Sequence, residues 1–266
     1  MKMKFSPFRC LLLSCAIFPL WSSHAKACEA PLNIAYGPYV SILIVNQYLR
    51  PLHEALAKVT GCAVDFTLHS DFEGLISSLE ASPRQLALVP GPYAGVFTRR
   101  QYVDLGQMIR EDKGFYLVVP FHSPVKELAD LKGKQVMILS ILSETGSRFM
   151  QELSDKGLAR DVVVSPGRSY ERMLMALMRD RGDAAVIYHE YWELLDESIR
   201  EKHLRIVKTY LAGKPHFIGK GLSRDEVEKI QAALLESGPL KWQKPDMPTR
   251  SVSVLEATIR DVLSRQ

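Results

Sequence analysis

Asp130-Leu131-Lys132-Gly133-Lys134-Gln135-Val136-Met137-Ile138-Leu139-Ser140-Ile141-Leu142-Ser143-Glu144-Thr145-Gly146-Ser147 is the most informative stretch of the chain. A polar turn precedes the apolar run Val136–Leu139. A hydroxyl- and glycine-rich loop then opens a helix whose apolar positions are Phe149, Met150 and Leu153. The first N–H groups of a helix lack internal partners and carry partial positive charge, and hydroxyls beside them complete a pocket for a small anion. In α/β sheets the carboxyl end of a strand is where ligands sit. On its own the motif reads first as an ordinary strand–loop–helix connection capped by Ser143 or Thr145, so the rest of the chain must decide.

Outward from this stretch, short β runs alternate with amphipathic helices. A strand at Pro31–Tyr36 is followed by Val45, Tyr48, Leu49, Leu52, Leu56 and Val59 at helical spacing, with Pro51 restarting the helix. A strand at Val64–Leu68 leads to Phe72, Leu75, Ile76 and Leu79 on one helical face. The short apolar run Leu86–Val89 turns through Pro90-Gly91-Pro92 into another helix. This βαβαβ order predicts a parallel sheet flanked by helices. Phe115–Pro120 leaves that unit as a longer strand. A second unit follows, with strands at Gln135–Leu139, Val162–Val164 and Asp183–Tyr188 and helices over 146–156 and 169–180. A strand at Leu204–Tyr210 returns, and Ser223 with Glu226, then Ser253 with Glu256, are read as capping boxes of two further helices. The pattern predicts two α/β lobes joined by two crossing strands: 28–118 with 210–266, and 119–209.

Residues 1–27 read as a secretory leader. Lys2, Lys4 and Arg9 open it, Cys10–Trp21 is apolar but short for a membrane span, and Ala25-Lys26-Ala27 offers a cleavage site. Lipid attachment at Cys15 is the alternative. The leader carries four of the 34 basic residues and none of the 30 acidic ones, so the mature chain has a formal net charge of zero. That balance gives no argument for a nucleic acid or an anionic membrane as partner. Cleavage leaves Cys28 and Cys62, each just before a predicted strand. If those strands are parallel neighbours, both cysteines lie at one sheet edge, where an oxidising compartment permits a disulfide. The alternative is two unpaired thiols or a mixed disulfide.

In this order the chain resembles the periplasmic substrate-binding proteins of the phosphate/phosphite/phosphonate ABC-transporter family over roughly residues 31–236. The landmarks are Leu49-Arg50-Pro51-Leu52, Ser70-Asp71-Phe72, Leu86-Ala87-Leu88 with Gly91-Pro92-Tyr93, Asp130-Leu131-Lys132-Gly133-Lys134, Ser143–Gly146 and Gly182-Asp183-Ala184-Ala185. The resemblance implies a two-lobed periplasmic-binding-protein-like fold. Each lobe is a mostly parallel sheet flanked by helices, two hinge strands join them, and a ligand sits in a cleft that closes by hinge motion. The implied ligand set is Tyr39, Phe72, Tyr93, Ser143, Glu144, Thr145, Ser147, Arg168, Ser169, Tyr170 and Asp183. The chain is then expected to be a monomeric, exported solute-binding protein for an ABC permease, holding a small polar or anionic solute, with no cofactor and no metal.

Three departures bear on the ligand. The family's phosphonate binders have Ser-Thr-Ser-Gly where this chain has Ser143-Glu144-Thr145-Gly146. Two like charges about 4 Å apart repel by about 4 kcal/mol at the dielectric typical near a protein surface, enough to offset much of a helix N-terminus's pull on an anion. Either Glu144 points to solvent or the ligand is not a simple phosphonate dianion. A tyrosine expected after Asp71 is Phe72, and a histidine expected near Gly167-Arg168-Ser169-Tyr170 is absent; Ser169 or Tyr170 is the candidate for its place, and Arg168 is either a source of positive charge or a solvated loop arginine. Aromatic residues recur at the expected cleft, at Tyr36, Tyr39, Phe72, Tyr93, Tyr116, Tyr170 and Tyr188, as small-ligand pockets require.

Two other functions compete. A binding protein feeding a membrane sensor would have the same fold. An enzyme has thin support: His189-Glu190 with Glu193 is not His-Glu-x-x-His, and Ser143 with Asp183 has no histidine in the same loops. No Gly-x-Ser-x-Gly elbow, P-loop or Cys-x-x-Cys is present.

Overall fold

A computed structural model describes residues 31–265 except 41, 110–113, 239 and 246–252. The leader, Cys15 and Cys28 lie outside the described residues. Cys62 is buried just ahead of the second strand.

The first sheet forms from β1 (Leu32–Tyr36), β2 (Val64–Leu68), β3 (Gln85–Val89), β4 (Val103–Ile109), β10 (His216–Lys220) and β11 (Lys241–Gln243), in the order β11-β4-β10-β3-β1-β2. The β2-β1-β3 core is parallel, with Leu32 opposite Val64 and Tyr36 opposite Leu88, while β10 returns antiparallel to β3 and β4. The second sheet has the order β7-β6-β8-β5-β9, from β5 (Gly114–Pro120), β6 (Gln135–Ile138), β7 (Val163–Pro166), β8 (Ala184–Tyr188) and β9 (Leu204–Leu211). Here β7-β6-β8 is parallel, and β5 pairs antiparallel with both β8 and β9.

In the first half, α1 (Ile42–Ile44) runs through a π-turn at Val45–Leu49 into α2 (Arg50–Thr60), followed by α3 (Phe72–Ala81) and α4 (Gly91–Phe97). Pro51 occupies the first turn of α2, where its missing N–H costs nothing, so the helix restarts there. In the second half are α5 (Glu144–Asp155), α6 (Tyr170–Met178), α7 (His189–Glu193) and α8 (Glu197–His203). Then α9 (Arg224–Glu236) and α10 (Ser253–Ser264) return to the first sheet. Among the described residues no helix is long and apolar enough to cross a membrane.

The turn before β6 follows its sequence closely. Asp130 accepts backbone hydrogen bonds from Lys126 and Glu127 at 2.8 and 3.1 Å, which hold its carboxyl below the usual carboxylate range. Gly133, at φ +71°, closes the turn in the left-handed region that favours glycine. Ser143 rather than Thr145 caps α5, accepting from the Gly146 N–H at 3.0 Å, and the helix begins at Glu144.

Two expectations are corrected. Residues 114–118, assigned to the first lobe, pair along β5 with β8 and β9 and so belong to the second sheet. The crossing therefore falls between β4 and β5, and the second between β9 and β10. Strands β4, β10 and β11 complete the first sheet and were not read from the sequence. The Ser253–Glu256 capping box does not form: Ser253 already lies in α10 and gives its hydroxyl to Gln151 Oε1 at 2.6 Å, while Glu256 pairs with Arg99 at 2.9 Å.

Each sheet carries an apolar cluster on both faces. One of these clusters crosses between the halves. Leu142, from the loop after β6, is 1 % exposed and lies in the first-lobe cluster with Phe72, Leu75, Tyr93, Leu255 and Ile259. Helix α10 reinforces the junction: Leu255 and Ile259 anchor it in that same cluster, and the Val254 N–H reaches Gln151 on α5 at 3.1 Å.

Candidate functional site

The carboxyl ends of β1 and β3 and of β6, β7 and β8 feed loops that converge where the two sheets meet. On the first-lobe side Tyr39, Phe72 and Tyr93 form a run of rings with centroids 6.1 and 6.3 Å apart, continued by Phe97 at 6.2 Å from Tyr93. The Tyr39 ring is partly exposed, but its hydroxyl turns inward and donates to the Leu88 carbonyl at 2.8 Å. Tyr93 is fully buried and donates to the Leu142 carbonyl at 2.6 Å, a hydrogen bond from one lobe to the other.

On the second-lobe side the predicted hydroxyls form one chain. Ser143 Oγ donates to the Ser140 carbonyl at 2.6 Å and is 3.0 Å from Thr145 Oγ1, which is 3.2 Å from the Tyr170 hydroxyl. The Ser143 proton is spent on Ser140, so Thr145 donates to Ser143 and Tyr170 donates to Thr145. Ser147 Oγ donates to the Glu144 carbonyl at 3.2 Å. All of these hydroxyls are buried, so a solute would reach them only after the lobes part.

Gly146 makes this packing possible. A Cβ there would stand 2.0 Å from the Ser140 carbonyl oxygen, so only glycine lets the loop close on the first turn of α5.

Glu144 points inward. It is 5 % exposed, its Oε2 accepts from the Tyr188 hydroxyl at 3.2 Å, and its Oε1 accepts from the Gly213 N–H in the segment between β9 and β10. Arg148, one turn along α5, places Nε 3.1 Å from Oε1. That N–H is not aimed at the carboxylate, so the pairing is electrostatic rather than a directed hydrogen bond. A Cβ on Gly213 would meet Glu144 Oε1 at 2.9 Å, Arg148 Nη2 at 3.0 Å and Pro92 of α4 at 3.5 Å. The carboxylate thus sits among α5, β8, the crossing segment and the first lobe.

Tyr39, Phe72, Tyr93, Ser143, Glu144, Thr145, Ser147 and Tyr170 are brought to this junction. Ser169 is nearby but caps α6, accepting from the Arg172 N–H at 3.3 Å. Arg168 is exposed on the loop before it. Asp183 is not brought in: it lies at the opposite end of the second sheet, where it accepts from the Gln135 N–H at 2.8 Å and pairs with Lys134 at 3.4 Å. Arg148, Gly213 and Leu142 were missed as site residues. Only Arg148 left a sequence signal, its i+4 spacing from Glu144. Among the described residues no group of three or more His, Cys, Asp or Glu is placed to hold a metal.

Burial pushes the phenols of Tyr36, Tyr39, Tyr93 and Tyr170 well above the ordinary tyrosine range. For groups with a raised folded-state pKa, this stability is fully present below the unfolded value near 10 and is lost as pH rises above it. We expect the protein to unfold in alkali above about pH 10, with tyrosinate absorbance at 295 nm rising together with loss of circular dichroism. Ionisation of all ten tyrosines near the ordinary value in protein that stays folded would contradict the burial.

No curated protein matches the chain in sequence. Among solved structures, XAC2383 from Xanthomonas citri bound to chloride superposes with a TM-score of 0.68 at 15 % identity, covering 88 % of this chain and 99 % of its own. PhnD1 from Prochlorococcus marinus, in complex with methylphosphonate, gives 0.64 at 13 % identity, covering 88 % and 97 %. The aliphatic sulphonate binding protein SsuA from Escherichia coli gives 0.53 at 13 % identity, covering 90 % and 93 %. These likenesses are of fold. The family model for the phosphonate periplasmic substrate-binding protein of ABC transporters matches residues 34–247. With two lobes meeting at their strand ends and a family match across most of the chain, this protein belongs to the periplasmic substrate-binding proteins of the phosphonate ABC transporters.

Proposed function

We propose that the solute is held between the lobes, against Tyr39, Phe72 and Tyr93 on one side and the first turns of α5 and α6 on the other. The lobes are read as 31–109 with 216–265, and 114–211. The chain then acts as a monomer that delivers its solute to an ABC permease. It reaches the periplasm by way of the leader at 1–27, and Cys28 bridged to Cys62 ties the start of β1 to the start of β2. No catalytic step is assigned to it.

The observation that carries this reading is the junction itself. Loops from the carboxyl ends of both sheets meet at the Tyr93–Leu142 hydrogen bond, which must break for a solute to enter and can re-form over it. The test is calorimetric titration of protein unfolded and refolded to strip carried-over solute. The panel is phosphate, phosphite, methylphosphonate, a zwitterionic aminoalkylphosphonate and simple amines. We expect micromolar or tighter binding of at least one member, abolished in Tyr170→Ala. A folded protein that binds none of them, or that binds equally well without Tyr170, would sink the assignment.

A further inference from the structure

We infer that Glu144 is a tethered oxyanion: its carboxylate fills, from within the chain, a receptor built from the Gly213 N–H, the Tyr188 O–H and the Arg148 guanidinium. The inference rests on the reading that the solute binds between the lobes, and it sets the class of solute.

The three donors come from three separate elements, the crossing segment before β10, the end of β8 and the second turn of α5, and they converge on one buried carboxylate. A backbone N–H, a phenol O–H and a guanidinium together form a donor set suited to an oxyanion, because each can present a proton and the guanidinium adds positive charge. The space is shaped for it as well. Gly213 has no side chain where a Cβ would crowd both Glu144 Oε1 and Arg148 Nη2. Arg148 keeps a buried Nε–H without a hydrogen-bond partner beside the carboxylate, a donor that an oxyanion with different geometry would take.

With Glu144 in place, the Gly213 N–H and the Tyr188 hydroxyl are taken and the Arg148 guanidinium has a counter-charge beside it. An incoming phosphonate dianion would meet a carboxylate where it needs N–H groups. The wild-type site therefore selects a neutral or zwitterionic head group over a simple oxyanion, and Glu144 determines that specificity. Removing the carboxylate takes an acceptor from the Gly213 N–H and the Tyr188 hydroxyl and the counter-charge from the half-buried Arg148 guanidinium, and an external oxyanion would supply both.

The test is a set of calorimetric titrations with methylphosphonate on wild type, Glu144→Thr and Glu144→Gln. Threonine empties the receptor, and we expect methylphosphonate to bind it at least tenfold tighter than it binds wild type. Glutamine keeps an acceptor over the Gly213 N–H and loses only the charge, so its gain is smaller but still above threefold. It decides the matter if the threonine variant fails to fold. Equal binding by wild type and both variants, whether tight or absent, would overturn the inference. The two readings fail differently. If wild type binds methylphosphonate as tightly as the variants do, the interlobe site survives and the tethered carboxylate does not. If neither wild type nor variants bind any member of the panel, the interlobe site itself is wrong.

Discussion

Gly146→Ala is expected to lower stability by roughly 3 kcal/mol, from about 1–3 kcal/mol for overpacking and about 1 kcal/mol for a damaged cap. The added methyl would stand 2.0 Å from the Ser140 carbonyl oxygen and 3.0 Å from Ser143 Oγ. The carbonyl is backbone and cannot rotate out of the way as a side chain would. It also accepts from the Ser143 N–H at 3.0 Å and the Ser143 hydroxyl at 2.6 Å, so moving it undoes the cap that starts α5. In a chain of this size such a loss lowers the melting temperature by about 6–12 °C. Gly238→Ala is the control, because nothing lies within 4 Å of a Cβ there. Matching melting curves for the two variants would show that the loop does not press on the helix as described.

Leu142→Ala is expected to cost about 2–5 kcal/mol, the range for buried leucines. The neighbours it would leave are unusual, since Leu142 follows a second-sheet strand but packs among Phe72, Leu75 and Tyr93 of the first lobe. Its loss should therefore also loosen the lobes, seen as a larger radius of gyration in solution scattering. Leu177→Ala makes a cavity of the same chemistry wholly inside the second lobe, where Leu177 is fully buried, and should cost similar stability with no change in radius. If both variants keep the wild-type radius, Leu142 is ordinary core and the lobes are held by other contacts.

How much of this was legible in the sequence depended on how local the cause was. The Asp130–Ser147 stretch carried its own instructions: a carboxylate to gather the turn's N–H groups, a glycine for its left-handed residue, an apolar strand, and a serine to cap the helix. Strand β4 did not announce itself, because Val103-Asp104-Leu105-Gly106-Gln107-Met108-Ile109 mixes glycine and polar residues with no turn signal. It becomes a strand by pairing with β10, whose His216 faces Gln107 more than a hundred residues back. Ser253 looked like a cap until the fold brought Gln151 of α5 within reach of its hydroxyl.

The site divides in the same way. The aromatic wall and the hydroxyl chain came from residues already conspicuous beside strand ends. Asp183 was conspicuous too, but the strand it precedes carries it to the far end of the sheet. The direction of Glu144 was undecidable from its neighbours, because the group that turns it inward is the N–H of Gly213, 69 residues away. Leu142 read as one more apolar loop residue, and only the meeting of two sheets gave it a partner lobe.

Glu144 is inferred to occupy an oxyanion receptor between the lobes. The most direct measurement is the heat of methylphosphonate binding to wild type and to Glu144→Thr, titrated side by side after refolding. The variant is expected to bind at least tenfold tighter than wild type. Indistinguishable isotherms from two folded proteins would contradict it.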